Sequence, residues 1–168
     1  FEDENTTGLK GGDYFVVNTD DNKFWGLVRS KYITFKNNFH GRAEQGGSYG
    51  EGKSVYWRNA KSTIVAFSST LQKKDLPSKC TNPRFTAKSE GTTHSMGSVL
   101  RSGIGYLANK SSNDDIQSVW GEEALPYCET LGISRKDLNT GTSVAIIGYT
   151  GPETKRARDL NEKKEFDE

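Results

Sequence analysis

The sequence predicts a single domain of mixed helix and strand, and three observations carry that expectation. Two apolar runs rich in β-branched residues, STIVAFSS at 62–69 and SVAIIGY at 143–149, have the length and composition of strands. Two segments have helical character, SVYWRNA at 54–60 and a longer stretch from Asp114 or Asp115 to about Leu131. The length, 168 residues, is that of one domain.

Taken in order, residues 14–17 (YFVV) and 24–28 (FWGLV) are short apolar runs that suit strands or loop edges, with a polar turn at 18–22 between them. Residues 31–35 (KYITF) alternate polar and apolar, as an extended segment does. Residues 37–53 are polar and glycine-rich without a core-facing period and read as a long loop, a length usually tied to function or disorder. The helix at 54–60 and the strand at 62–69 follow directly. Residues 73–90, with two prolines and several lysines, read as an exposed connection. The helix expected from Asp114 or Asp115 would bury Ile116, Val119, Trp120, Leu125 and Cys128, with Pro126 ending or bending it early. Gly141 and Thr142 lead into the strand at 143–149, the strongest strand signal in the chain. The tail at 153–168 has 11 charged residues of both signs and reads as a solvated helix or frayed end with no site.

Composition excludes several classes. Leu, Ile, Val and Phe make 33 of 168 residues, a lean apolar content, yet 23 basic against 22 acidic residues leave a net charge of only +1, so the chain is not disordered throughout. That balance gives no broad electrostatic footprint for nucleic acid. No run approaches the roughly 18 apolar residues that span a bilayer, which excludes a membrane partner. The acidic start, FEDE, is unlike a secretory signal, and Cys80 and Cys128 stand 48 positions apart without CxxC or neighbouring His. A cytoplasmic protein with two reduced thiols and no zinc site is expected.

The 18 glycines exceed the roughly 7% of an average chain and cluster, which directs attention to backbone geometry. Residues 47–54, GSYGEGKS, match the phosphate-loop pattern GxxxxGK[ST], in which loop amides meet phosphate oxygens, Lys53 meets the terminal phosphates and Ser54 offers its hydroxyl to magnesium. That motif belongs after a buried apolar strand, and here NNFHGRAEQG precedes it. No four-apolar run ending in Asp supplies the second magnesium ligand.

Gly47, Gly50, Gly52 and Lys53, followed by VYW, also resemble the glycine box of the GHKL ATPases, the class that includes MutL, the ATPase component of DNA gyrase, histidine kinases and heat-shock chaperones. Residues 1–9, FEDENTTGL, resemble that family's first glycine box, though Asn5 stands where its DxGxG form has a glycine. Residues 141–144, GTSV, resemble its late GTxV strand. The three segments occur in the family's order and cover residues 1 to about 150.

The resemblance implies an α/β two-layer sandwich (α+β) of Bergerat type, with a mixed, mostly antiparallel sheet and helices on one face. Residues 1–152 would form a nucleotide-binding domain incomplete at its N-terminus, with an ATP lid at about 36–60. It implies that Asp3 accepts a hydrogen bond from the adenine amino group, with Gly8 and Thr142 beside it. The phosphates would meet Gly47, Tyr49, Gly50, Glu51, Gly52, Lys53 and Ser54. The family's water-activating Glu and magnesium-holding Asn lie on a helix upstream of the first glycine box, so ATP and Mg2+ are the expected ligands, with the magnesium ligand outside this chain. Hydrolysis by these residues alone is not expected. Partners implied are ATP and a homodimer mate or other domains of a larger protein. A P-loop NTPase and a non-enzymatic interaction module are the competing readings. His40 and His94 read as surface residues, Glu122 and Glu123 as neighbours facing different ways, and Trp25, Trp57 and Trp120 as packing anchors.

Overall fold

The computed structural model of the chain describes residues 1–13, 22–29, 53–110, 115–136 and 139–151. At its centre lies β1 (Ile64–Thr70), paired antiparallel with β2 (Arg84–Glu90) on one side and, on the other, with a strand at Gly141–Ile146. Phe67 sits opposite both Thr86 and Val144, which fixes the register. Between β2 and that last strand the chain forms a hairpin of β3 (His94–Met96) and β4 (Val99–Arg101), then β5 (Ile104–Leu107). A small pair of β6 (Asn109–Lys110) and β7 (Ile116–Gln117) precedes β8 (Val119–Trp120), and the strand Gly141–Ile146 is β9. The sheet order is β5-β2-β1-β9, with β8 also paired to β2. Among the described residues every strand pairing is antiparallel. The class is therefore mixed α+β with an antiparallel sheet, as the sequence leads one to expect.

Alternation along β1 divides the core in two. Val65 and Phe67 face a cluster with Leu9, Phe24, Val28, Trp57, Ala60 and Val144. Ala66 faces the opposite cluster of Phe85, Ala87, Val119, Ala124, Cys128 and Ile133. A strand buried on both faces reads as a continuous run of apolar and small residues, which is why STIVAFSS gives so clear a signal. The first face is covered by α1 (Ser54–Arg58) and a helical turn at Trp25–Arg29, and the second by α2 (Leu125–Thr130). Helical segments thus cover both faces of the sheet rather than one. Trp57 anchors α1 by donating its indole N–H to the Lys88 carbonyl at 3.0 Å while packing 6.0 Å from the Phe67 ring. Such a buried indole needs a partner of this kind.

Three local expectations are corrected. Residues 24–28 are helical, because the Asn22 side chain accepts the Trp25 N–H at 2.9 Å in the manner of an N-cap, and the Asn22 carbonyl accepts the Gly26 N–H at 3.1 Å. The second half of 73–90 is the central strand β2, disguised by Arg84, Thr86 and Lys88 on one buried face. The long helix expected from Asp114 or Asp115 is instead β7, β8, a 3-10 turn at Gly121–Glu123 and α2. Gly121, at φ +61° and donating its N–H to the Pro83 carbonyl at 2.9 Å, breaks the segment. Pro126 lies in the first turn of α2, where its missing N–H costs nothing, so it opens the helix rather than ending it. Ile116 is exposed, whereas Val119 and Cys128 are buried. The runs at 14–17 and 31–35, most of the loop at 37–53 and the tail lie outside the described residues.

Candidate functional site

Asp3 and Gly8, near the start of the numbering, meet the distant Thr142 at one end of the sheet. Residues 1–3 run antiparallel along β9, with the Val144 N–H donating to the Phe1 carbonyl at 2.7 Å and the Asp3 N–H to the Thr142 carbonyl at 3.0 Å. The Asp3 carboxylate then takes two donors, the Thr142 N–H on Oδ1 and the Thr6 hydroxyl on Oδ2 at 3.0 Å. A carboxylate oxygen has a second lone pair, so each retains acceptor capacity. Asp3 is half-buried, which leaves that capacity reachable.

Ser69, at the end of β1, joins the other two positions. Its hydroxyl accepts the Leu9 N–H at 2.8 Å, donates to the Gly141 carbonyl at 3.0 Å and lies 3.3 Å from the Thr142 hydroxyl. A serine hydroxyl carries one proton. With that proton on Gly141, Thr142 is the donor in the contact with Ser69, and its own oxygen remains an acceptor. Gly8 has φ +65°, and a Cβ there would meet the Ser69 hydroxyl and the Thr70 carbonyl, each at 2.8 Å. Its glycine is therefore required by the close approach of the N-terminal turn to β1.

Of the phosphate-loop residues, Gly47, Tyr49, Gly50, Glu51 and Gly52 lie outside the described residues. Lys53 and Ser54 are described at the start of α1. The Lys53 ammonium donates to the Gly26 carbonyl at 2.6 Å. Burial pushes its pKa down, the Lys88 charge adds to that, and Glu90 opposes it. The folded chain thus holds the Lys53 proton less tightly than the unfolded chain does. Charged Lys53 subtracts from stability at neutral pH and stops doing so as pH rises from its lowered pKa towards the ordinary 10.5. Lys88, 1% exposed, is ion-paired with Glu90 at 2.5 Å and lies 5.0 Å from the centre of the Trp57 ring.

The two groups share one face of the sheet. Lys88 stands opposite Val65 and Thr142 opposite Ser69, four residues along β1, or about 13 Å of extended chain. Among the described residues no three His, Cys, Asp or Glu side chains gather to hold a metal. The parallel strand of the P-loop reading would precede Gly47, outside the described residues.

Sequence reasoning missed three contributors. Ser69 ends a strand whose serines look like its solvent edge. Arg135, 3% exposed, sits in a polar loop beside Lys136 and reads as surface, yet its guanidinium donates to the Asp3 carbonyl at 3.0 Å. Arg84, buried in β2, holds Asp13 and the backbone of Leu9 and Gly11, fixing the turn that carries Gly8. No pattern in one sequence separates these from surface residues.

No family model matches the chain, and neither a curated protein nor a solved structure does.

Proposed function

We propose that this chain binds ATP through a GHKL-type nucleotide-binding domain and serves as an ATP-dependent conformational switch. The supporting observation is the meeting of Asp3 with Thr142, 139 positions apart in the chain, with Gly8 beside them on Ser69. These residues resemble the family's adenine contacts on sequence, and their meeting agrees with what that resemblance implies. Asp3 accepts from the exocyclic amino group, and the Thr142 oxygen adds a second acceptor. Lys53 and the glycine loop neutralise the phosphates, and closure of that loop changes the surface offered to a partner.

Thermal denaturation with and without ATP and Mg2+ tests the reading. Nucleotide at a hundredfold its dissociation constant adds about 2.7 kcal/mol, which for a chain of this size raises Tm by about 5–11 °C. A Tm that does not move favours the interaction module. Lys53→Met separates the two ends of the ligand. It is expected to weaken ATP about tenfold or more while leaving adenosine within twofold, because a charge-assisted contact to phosphate is lost and no adenine contact changes. Calorimetric titration of both ligands reads this, and equal weakening of the two removes Lys53 from the phosphate site.

A further inference from the structure

We propose that Arg135 is the positioning residue of this site, holding the Asp3 carboxylate and Thr142 in the relative placement that recognition of the adenine amino group requires; the inference rests on the ATP-binding reading above. One buried guanidinium ties together the segments that carry those two residues. Its Nη2 donates to the Asp3 carbonyl at 3.0 Å and to the Asn139 carbonyl at 2.8 Å, and its Nη1 donates to the Ser143 hydroxyl at 2.8 Å. Ser143 in turn donates to the Glu2 carboxylate at 3.2 Å. The N-terminal segment, the loop before β9 and β9 itself are thereby fixed on a single planar group.

The chain around it leaves little freedom. Gly141 has φ +153°, and a Cβ there would collide with the Asp3 carbonyl and approach Arg135 Nη2 to 2.8 Å. Asp3 and the start of β9 therefore pass each other with no side chain between them, and the guanidinium closes the corner. The oxygens Arg135 meets are two carbonyls and a hydroxyl. Burying a cation against such partners is costly, and its Nε lies buried without a partner among the described residues, so packing alone does not account for an arginine here. What the rigid fork supplies, and a lysine lacks, is simultaneous reach to two segments in fixed geometry. Turning the Asp3 peptide would turn its side chain away from Thr142.

Calorimetric titration tests this with two ligands that differ only in the amino group, ATP and purine riboside triphosphate, each with Mg2+. In Arg135→Lys, ATP affinity is expected to fall about tenfold, while the analogue, which makes no contact with Asp3, changes less than twofold. Ser143→Ala removes the acceptor of Nη1 with almost no change of volume and is expected to show the same selective loss at a smaller size. It carries the decision if Arg135→Lys does not fold. Equal weakening of both ligands, or no weakening in a variant with an unchanged Tm, overturns the positioning role. A wild-type protein that binds neither nucleotide removes the ATP reading itself, a result distinct from either.

Discussion

Arg84→Met is expected to destabilise the protein by about 3–5 kcal/mol, the usual cost of removing one partner from a buried ion pair. Arg84 is 1% exposed and ionised among partners that account for most of its donors: the Ser118 hydroxyl at 2.8 Å, the Leu9 and Gly11 carbonyls at 3.0 and 2.7 Å, and Asp13 at 3.1 Å. Its guanidinium lies 3.3 Å from the centre of the Phe24 ring and 4.9 Å from that of Trp120. Burial lowers its pKa to about 10 against the pull of Asp13, so it is still charged at neutral pH. Methionine fills much of the space but leaves Asp13 with Ser118 and the more distant Arg29 at 3.6 Å. Against a typical total of 5–15 kcal/mol the loss is large, and a Tm lowered by about 6–20 °C would report it. A single variant that melts within about 2 °C of the wild type would show that the network carries no net stability.

That network also explains which parts of the fold could be read in advance. β1 and β9 are apolar on both faces, and α1 starts where breakers stop, so composition marks all three. β2 is as central as β1, but one of its faces is Arg84, Thr86 and Lys88. Its charges are matched by Asp13, which precedes it by 71 positions, and by Glu90 within the strand. A local window registers the charges and not the distant partner, and so returns a solvated connection. The stretch before α2 fails for the opposite reason. Its apolar residues have helical spacing by coincidence, and Gly121, held at positive φ against Pro83, divides them between strand and helix. At the site, Asp3, Gly8 and Thr142 stood out only through resemblance to a family's motifs. Ser69 and Arg135, which hold them together, belong to no motif.

Asp3→Asn is expected to weaken ATP binding by roughly 10- to 150-fold, the range of a hydrogen bond to a charged group, with little change in Tm. The direction follows from which oxygen is already engaged. The Thr142 N–H donates to Oδ1, and that bond survives only if the asparagine carbonyl takes the Oδ1 place. The amide NH2 then occupies the place of Oδ2, beside the Thr6 hydroxyl, which is itself able to turn and accept from it. The outward edge of the side chain changes from acceptor to donor, and an adenine amino group, also a donor, meets a like partner. A 6-oxo purine presents an acceptor at the same position. Inosine triphosphate is therefore expected to lose less affinity than ATP, or to gain some, so that the ratio of the two constants moves towards inosine by more than either constant changes through general weakening. The backbone bonds of Asp3 to Thr142 and Arg135 do not involve its side chain, and this separates the variant from one that merely loosens the turn. Titration of both nucleotides against both proteins decides it: a parallel loss, or an ATP constant that stays where it was, would mean that Asp3 closes the turn and reads no base.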